Sequence, residues 1–273
     1  MKYMKDVEEI NLDHREIPVP SVRKGVMDLL WAGQQKHVVH GFGEVDVSIP
    51  RKIMKKYKEK TGETLSFTSF IIKCLGQAVD ENKYMHVCRN GKKNLVIFDE
   101  VDVSTIIERD NADMQGKKMP MSWVLRAINK KSYQQIAKEI RDAQTMDITT
   151  GVKANRNKIY AKLPTFIRHF FWKKMSNDAM YRKKMSGTCG LTAVGMFTEG
   201  DGWAIPITPS TLTVTVGGVY EKPCVREGKI EIGEFLCITI SIDHDLIDGG
   251  PATRFIARFR ELLRTGYGLT DFQ

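Results

Sequence analysis

Apolar positions along the chain change their period several times, and each change marks an element. Phe67, Phe70, Ile71, Cys74, Leu75 and Ala78 recur every three or four residues, which predicts a helix with one side in the core. The same spacing links Phe255, Ile256, Phe259, Leu262 and Leu263, opposed by Arg254, Arg258 and Arg260, and predicts an amphipathic closing helix over residues 250–266. Residues 38–49, 187–197, 202–223 and 229–242 alternate or are rich in β-branched side chains, and read as strands. Gly41 and Gly43 are expected to break the first of these, and prolines to kink the third.

Start and stop signals place further elements. A helix over residues 21–35 has Ser21 as its cap; another over 50–63 has Pro50 at its start and Gly62 beyond its end. Asn90-Gly91 sits between two strand-like runs, a hairpin signal, and residues 122–144 give a strand followed by an amphipathic helix. Without regular βαβ spacing or a Gly-rich phosphate turn, the chain does not read as a dinucleotide fold. The expectation is an α/β fold with a mixed sheet covered by helices: an extension over residues 1–17, then a single domain over 18–273.

Composition narrows the class. The 273 residues are 42% hydrophobic and 27% charged, the balance of a protein that buries an ordinary core. No run approaches the roughly 20 apolar residues of a membrane span, and the charged amino terminus is unlike a signal peptide, so a cytoplasmic location is expected. The cysteines, Cys74, Cys88, Cys189, Cys224 and Cys237, are odd in number and lack CxxC spacing, which argues against disulfides and against a metal site. A net charge of +9 favours polyanionic partners. It is spread along the chain without a nucleic-acid-binding motif, so a nucleic-acid partner is not expected.

Candidate chemistry gathers near the carboxyl end. The apolar run Leu236 to Ile242 leads to His244, and Asp248 follows four residues later with Gly249 and Gly250. A neutral imidazole takes up a proton near physiological pH, and a strand end fixes its backbone while exposing its ring. A nearby carboxylate orients such a ring or pins its loop. The spacing alone fits a local hydrogen bond as well as a catalytic pair. His14, His37, His40, His86 and His169 stand in no such arrangement and read as surface or core residues.

The stretch DHDLIDG, followed by PATRFIARFRELL, resembles the HxxxDG signature and terminal helix of the 2-oxo acid dehydrogenase acyltransferase catalytic domain, whose fold is a chloramphenicol acetyltransferase-like two-layer sandwich. SVRKGVMDLL, LSFTSFIIKCLGQAVDEN, VIFDEVDVSTIIER, KKSYQQIAKEIRDA and GTCGLTAVGMF resemble further family segments, in family order. The resemblance implies a CoA-dependent acyltransferase, with acyl-coenzyme A as substrate, a thiol or hydroxyl acceptor, and no metal. It implies His244 as general base, Thr192 as the hydroxyl that stabilises the oxyanion, and Asp248 paired with Arg23, with Gly249 completing the turn. It also implies a homotrimer, in which His244 of one chain faces Thr192 of its neighbour. The alternative is a catalytically silent trimeric scaffold or partner subunit of an acyl-transfer complex.

Three features depart from the family pattern. With the core starting near residue 18, neither a lipoyl nor a subunit-binding domain is expected on this chain. Asp245 stands where the complex-forming enzymes usually have arginine, and Ala193 where asparagine is frequent. Residues 164–185 are both aromatic and basic. Phe166, Phe170, Phe171, Trp172 and Met175 are expected to face a trimer neighbour or line an acyl tunnel. Arg168, Lys173, Lys174, Arg182, Lys183 and Lys184 are expected on a solvated face, with contact to anionic membrane as the lesser alternative.

Overall fold

A computed structural model describes residues 14–110, 118–146, 159–194 and 200–272. Helix α1 (Ser21–Gln34) leads into strand β1 (Val38–Asp46), then helices α2 (Ser48–Thr61) and α3 (Phe67–Glu81). A small hairpin, β2 (Cys88–Asn90) with β3 (Asn94–Val96), precedes strands β4 (Val103–Asp110) and β5 (Lys118–Leu125) and helix α4 (Tyr133–Thr145). Helices α5 (Thr165–Asn177) and α6 (Ala179–Ser186) come before β6 (Cys189–Ala193), β7 (Leu212–Arg226), β8 (Lys229–Asp243) and the closing helix α7 (Gly249–Thr265).

Six strands form one mixed sheet in the order β1-β8-β7-β6-β4-β5. The pairs of β6 with β4 and with β7 are parallel; the others are antiparallel. Two-residue alternation gives the centre of this sheet two different faces. Leu212, Val214 and Val216 of β7 and Leu236, Ile238, Ile240 and Ile242 of β8 join one apolar core with Phe70, Ile71 and Leu75 of α3 and Phe255 and Phe259 of α7. The intervening residues, Thr213, Thr215, Thr239, Ser241 and Asp243, are as deeply buried but polar. Residues 200–211 cross this second face: Thr208 Oγ1 lies 2.7 Å from Thr213 Oγ1. At the β7 bulge the cover comes so close that a Cβ on Gly217 or Gly218 would lie about 2 Å from the carbonyl oxygens of Gly202 and Gly200. A side chain there would push the covering segment off the sheet.

The expected mixed α/β architecture is the one observed, and the differences from the reading above are local. β1 runs unbroken through Gly41 and Gly43, because every residue from Val38 to Asp46 has a partner on β8. α2 begins at Ser48, ahead of Pro50, and Gly62 ends it in the left-handed region at φ 76°. α1 starts after Pro20, so Ser21 is its first residue and not its cap; the Ser21 side chain lies outside the described residues. The expected strand over 202–223 begins only at Leu212, since Pro206 and Pro209 cannot donate to a central ladder. Residues 195–199, the end of the expected strand over 187–197, lie outside the described residues.

Residues 164–185 fold into α5 and α6 and dock on their own chain. Arg168 is buried, with Nε and Nη2 donating to the carboxylate of buried Asp28 of α1 at 2.7 and 3.3 Å. Tyr160 adds its hydroxyl to Asp28 at 2.9 Å, and His169 stacks on Trp31 with ring centres 3.8 Å apart. Arg182 is also buried, and Lys183 is half-buried against Glu100 and Asp102. The expectation of one solvated basic face therefore fails for these three residues. Lys173, Lys174 and Lys184 are exposed. Met175 is buried and Trp172 half-buried within the same chain, while Phe166, Phe170 and Phe171 stay exposed. Among the described residues no helix is long and apolar enough to cross a membrane.

Candidate functional site

β8 ends at Asp243, and His244 is the next residue, exposed at the rim of the sheet after a run of buried strand positions. Its backbone N–H donates to His37 O at 2.8 Å. The Asp243 carbonyl accepts the N–H groups of Leu246 and Ile247, both at 3.1 Å, which curls the chain back at once. Ile247 anchors this turn in the apolar core. Asp248 occupies the N-cap position of α7 without a side-chain capping bond, and Gly249 opens the helix. Both are exposed, and Asp248 lines an open cleft with Asn82, Tyr84, Met85, Pro251 and Arg254.

Thr192 lies in the short strand β6, between β4 and β7, and is half-buried. A knot of polar groups fixes the start of that strand. The Asp102 carbonyl accepts the N–H groups of Thr188 and Cys189 at 2.8 and 3.1 Å. The Thr188 hydroxyl lies 3.0 Å from Nδ1 of buried His86, whose Nε2 donates to Phe98 O at 3.0 Å. Burial pushes the His86 imidazole down to about 4, so it stays neutral with its proton on Nε2. Thr192 sits opposite Thr215, and Thr215 opposite Thr239, giving a row of three threonines across the sheet. The buried hydroxyls of Thr215 and Thr239 have no hydrogen-bond partner among the described residues.

The residues expected to work together are not all joined within one chain. His244 and Asp248 share one turn. Arg23 is exposed on α1, and among the described residues no ion pair or hydrogen bond links it to Asp248. Thr192 is level with Thr239 while His244 lies five residues further along β8, so strand spacings put them roughly 19 Å apart.

The sequence reading passed over the residues that meet beside His244. Lys36, just after α1, bonds through Nζ to the buried carboxylate of Asp243. Burial, and after it the charge of nearby Arg182, lowers the Lys36 ammonium below its ordinary range. Two-residue alternation along β8 puts Asp243 on the face of Thr239 and Ser241, a signal the sequence reading did not use; nothing in the sequence pointed to Lys36. Chemically, the arrangement offers an exposed imidazole able to accept a proton and, on the inner strand β6 of the same sheet, a hydroxyl able to donate a hydrogen bond.

Comparison with known proteins agrees with this fold. The family model for the 2-oxoacid dehydrogenases acyltransferase (catalytic domain) matches residues 11–156 and 148–269, and the chain belongs to this family. It is 22% identical over 224 residues to the mitochondrial dihydrolipoyllysine-residue succinyltransferase component of the 2-oxoglutarate dehydrogenase complex of Mus musculus, covering 80% of this chain and 42% of that protein. Against the lipoamide acyltransferase component of the branched-chain alpha-keto acid dehydrogenase complex of Bacillus subtilis, identity is 22% over 258 residues, covering 92% and 52%. The chain thus spans about half the length of the curated relatives it matches.

Solved structures give the same architecture. The cubic core of a pyruvate dehydrogenase multienzyme complex superposes with a TM-score of 0.65 at 17% identity, covering 92% of each chain. An Azotobacter vinelandii dihydrolipoamide acetyltransferase, investigated for the roles of a serine, a histidine and an asparagine in its catalytic mechanism, gives 0.66 at 18% identity, again covering 92% of each.

Proposed function

We propose that the protein is an acyltransferase that moves an acyl group between coenzyme A and a thiol acceptor of the dihydrolipoyl type, or a hydroxyl acceptor. The observation that carries this reading is His244, exposed directly after the buried run Leu236–Asp243 that ends β8, inside a chain that belongs to the acyltransferase family. His244 takes the proton from the acceptor S–H or O–H, and the freed anion attacks the thioester carbonyl. The carbonyl oxygen becomes negatively charged, and the Thr192 hydroxyl donates to it. Collapse of the tetrahedral intermediate breaks the C–S bond, and the imidazolium returns its proton to the departing coenzyme A thiolate. One well-placed donor to such an oxyanion lowers the barrier by about 3–4 kcal/mol, and base catalysis adds about 10²–10⁴-fold in rate.

Separation of His244 from Thr192 within a protomer makes the working unit an oligomer, in which the imidazole of one copy faces the hydroxyl of the next. The cubic core among the structural relatives supports such an assembly. Asp248 and Gly249 shape the turn between β8 and α7 that carries His244. In the A. vinelandii protein, the histidine and asparagine tested for catalytic roles are four residues apart, as His244 and Asp248 are here, which supports a functional place for Asp248.

The test is incubation with a panel of acyl-coenzyme A thioesters and with dihydrolipoamide and hydroxyl acceptors, following release of free thiol. Turnover that falls by several orders of magnitude in His244→Ala, with the fold intact by circular dichroism, is expected. Undiminished turnover in that variant excludes the base role.

A further inference from the structure

Two neighbouring residues after α1 grip three consecutive residues around His244. Lys36 Nζ bonds Asp243 Oδ2; the His37 carbonyl accepts the His244 N–H at 2.8 Å; and His37 Nδ1 lies 2.9 Å from Asp245 Oδ1. Asp243 also accepts the Asp245 N–H through Oδ1 at 3.3 Å, so its carboxylate is tied on both sides. The inner pair is withdrawn from water, with side chains 13% and 3% exposed. The outer pair is open, at 85% and 40%. Buried Arg182, with Nη2 on Pro209 O and Nε without a hydrogen-bond partner among the described residues, lies close enough for its charge to act on Lys36.

A buried ion pair stabilises a fold little better than two well-packed apolar side chains, so stability alone is a poor reason for this one. What it supplies is geometry. Asp243 and Asp245 flank His244, and their partners sit together on the segment that joins α1 to β1. The outer contact also gives Asp245 a role, since its side chain is held by His37.

We propose that Lys36 and Asp243, doubled at the surface by His37 and Asp245, are positioning residues that hold the backbone presenting the His244 imidazole. The clamp touches neither substrate nor reacting atoms, and it rests on the reading of His244 as the base. Catalysis across a subunit boundary demands it more than catalysis within a chain does, because the imidazole must meet a hydroxyl on another protomer. A displacement of about 1 Å in such a site costs about a hundredfold in rate.

The experiment compares Lys36→Met, Asp243→Asn and the double variant in the assembled protein, with His37→Ala as a surface variant that leaves the interior untouched. The single interior variants are expected to lose both melting temperature and kcat. The double variant is expected to regain melting temperature while kcat stays at least tenfold down, with KM for acyl-coenzyme A within twofold. In that variant the His244 amide should exchange with solvent at least tenfold faster, and His37→Ala should lower kcat severalfold without a change in melting temperature. Recovery of kcat along with melting temperature in the double variant, or unchanged exchange of the His244 amide, overturns the clamp. Full turnover in His244→Ala would overturn the base reading instead, and the amide exchange result judges the clamp independently of it.

Discussion

Thr192 on β6 and His244, the residue after β8, lie on either side of β7, yet Thr192 is level with Thr239 and His244 is five residues further on, roughly 19 Å away. A hydrogen bond spans about 3 Å. On the proposed reading, one protomer carries both halves of an acyl-transfer site that it cannot close alone, and the chemistry needs a second copy.

If Thr192 stabilises the oxyanion as proposed, Thr192→Ala removes that donor while leaving substrate binding alone. A fall in kcat of about 10²–10³-fold with little change in KM for acyl-coenzyme A is expected, and Thr192→Ser should keep most of the rate. Steady-state kinetics on the two variants check this.

Gly187 sits just before the strand that bears Thr192. Its φ is 72°, and a Cβ there would lie 2.8 Å from the carbonyl oxygen of Asp102, which holds β6 in place. Gly187→Ala should cost about 1–3 kcal/mol from the backbone conformation alone, measured by urea unfolding. The contact with Asp102 adds to that.

His86 makes stability depend on pH. Its folded-state value, pushed down by burial to about 4 from 6.5, means that the folded protein holds the neutral ring while the unfolded chain takes up a proton. The contribution is complete above pH 6.5 and fades as pH falls toward 4, where about 3 kcal/mol is lost. His86→Gln should flatten this part of the stability profile, as read by denaturant unfolding at a series of pH values.

Asp28 anchors α5 to α1 through Arg168, and the segment before α5 through Tyr160. Asp28→Ala leaves a buried guanidinium without its carboxylate, a change that costs about 3–5 kcal/mol. A lower melting temperature, together with faster amide exchange across α5, is the expected result.

Strand and helix periods made most of the architecture legible in advance. The stripe from Phe255 to Leu263 and the run from Phe67 to Ala78 became α7 and α3, and the β-branched run from Leu236 to Ile242 became the buried end of β8. Residues 202–211 misled because β-branched side chains suit an extended segment that covers a sheet as well as a strand within one. Arg168 and Arg182 misled for another reason: their charge is neutralised or hydrogen-bonded by Asp28 and Pro209, residues distant in the chain. The Lys36–Asp243 pair was hidden in the same way, since no local pattern links residues some two hundred positions apart. His244, Asp248 and Thr192 were legible through a motif and its family resemblance, not through physical periodicity.

The central claim, that each site is completed by two protomers, is tested most directly by mixing chains. His244→Ala and Thr192→Ala protein, each impaired alone, would be unfolded together at equal amounts and refolded so that trimers form at random. Every mixed trimer then contains one site with both groups intact, and about a quarter of the wild-type rate should return. A mixture no more active than the average of its two parents would contradict the account.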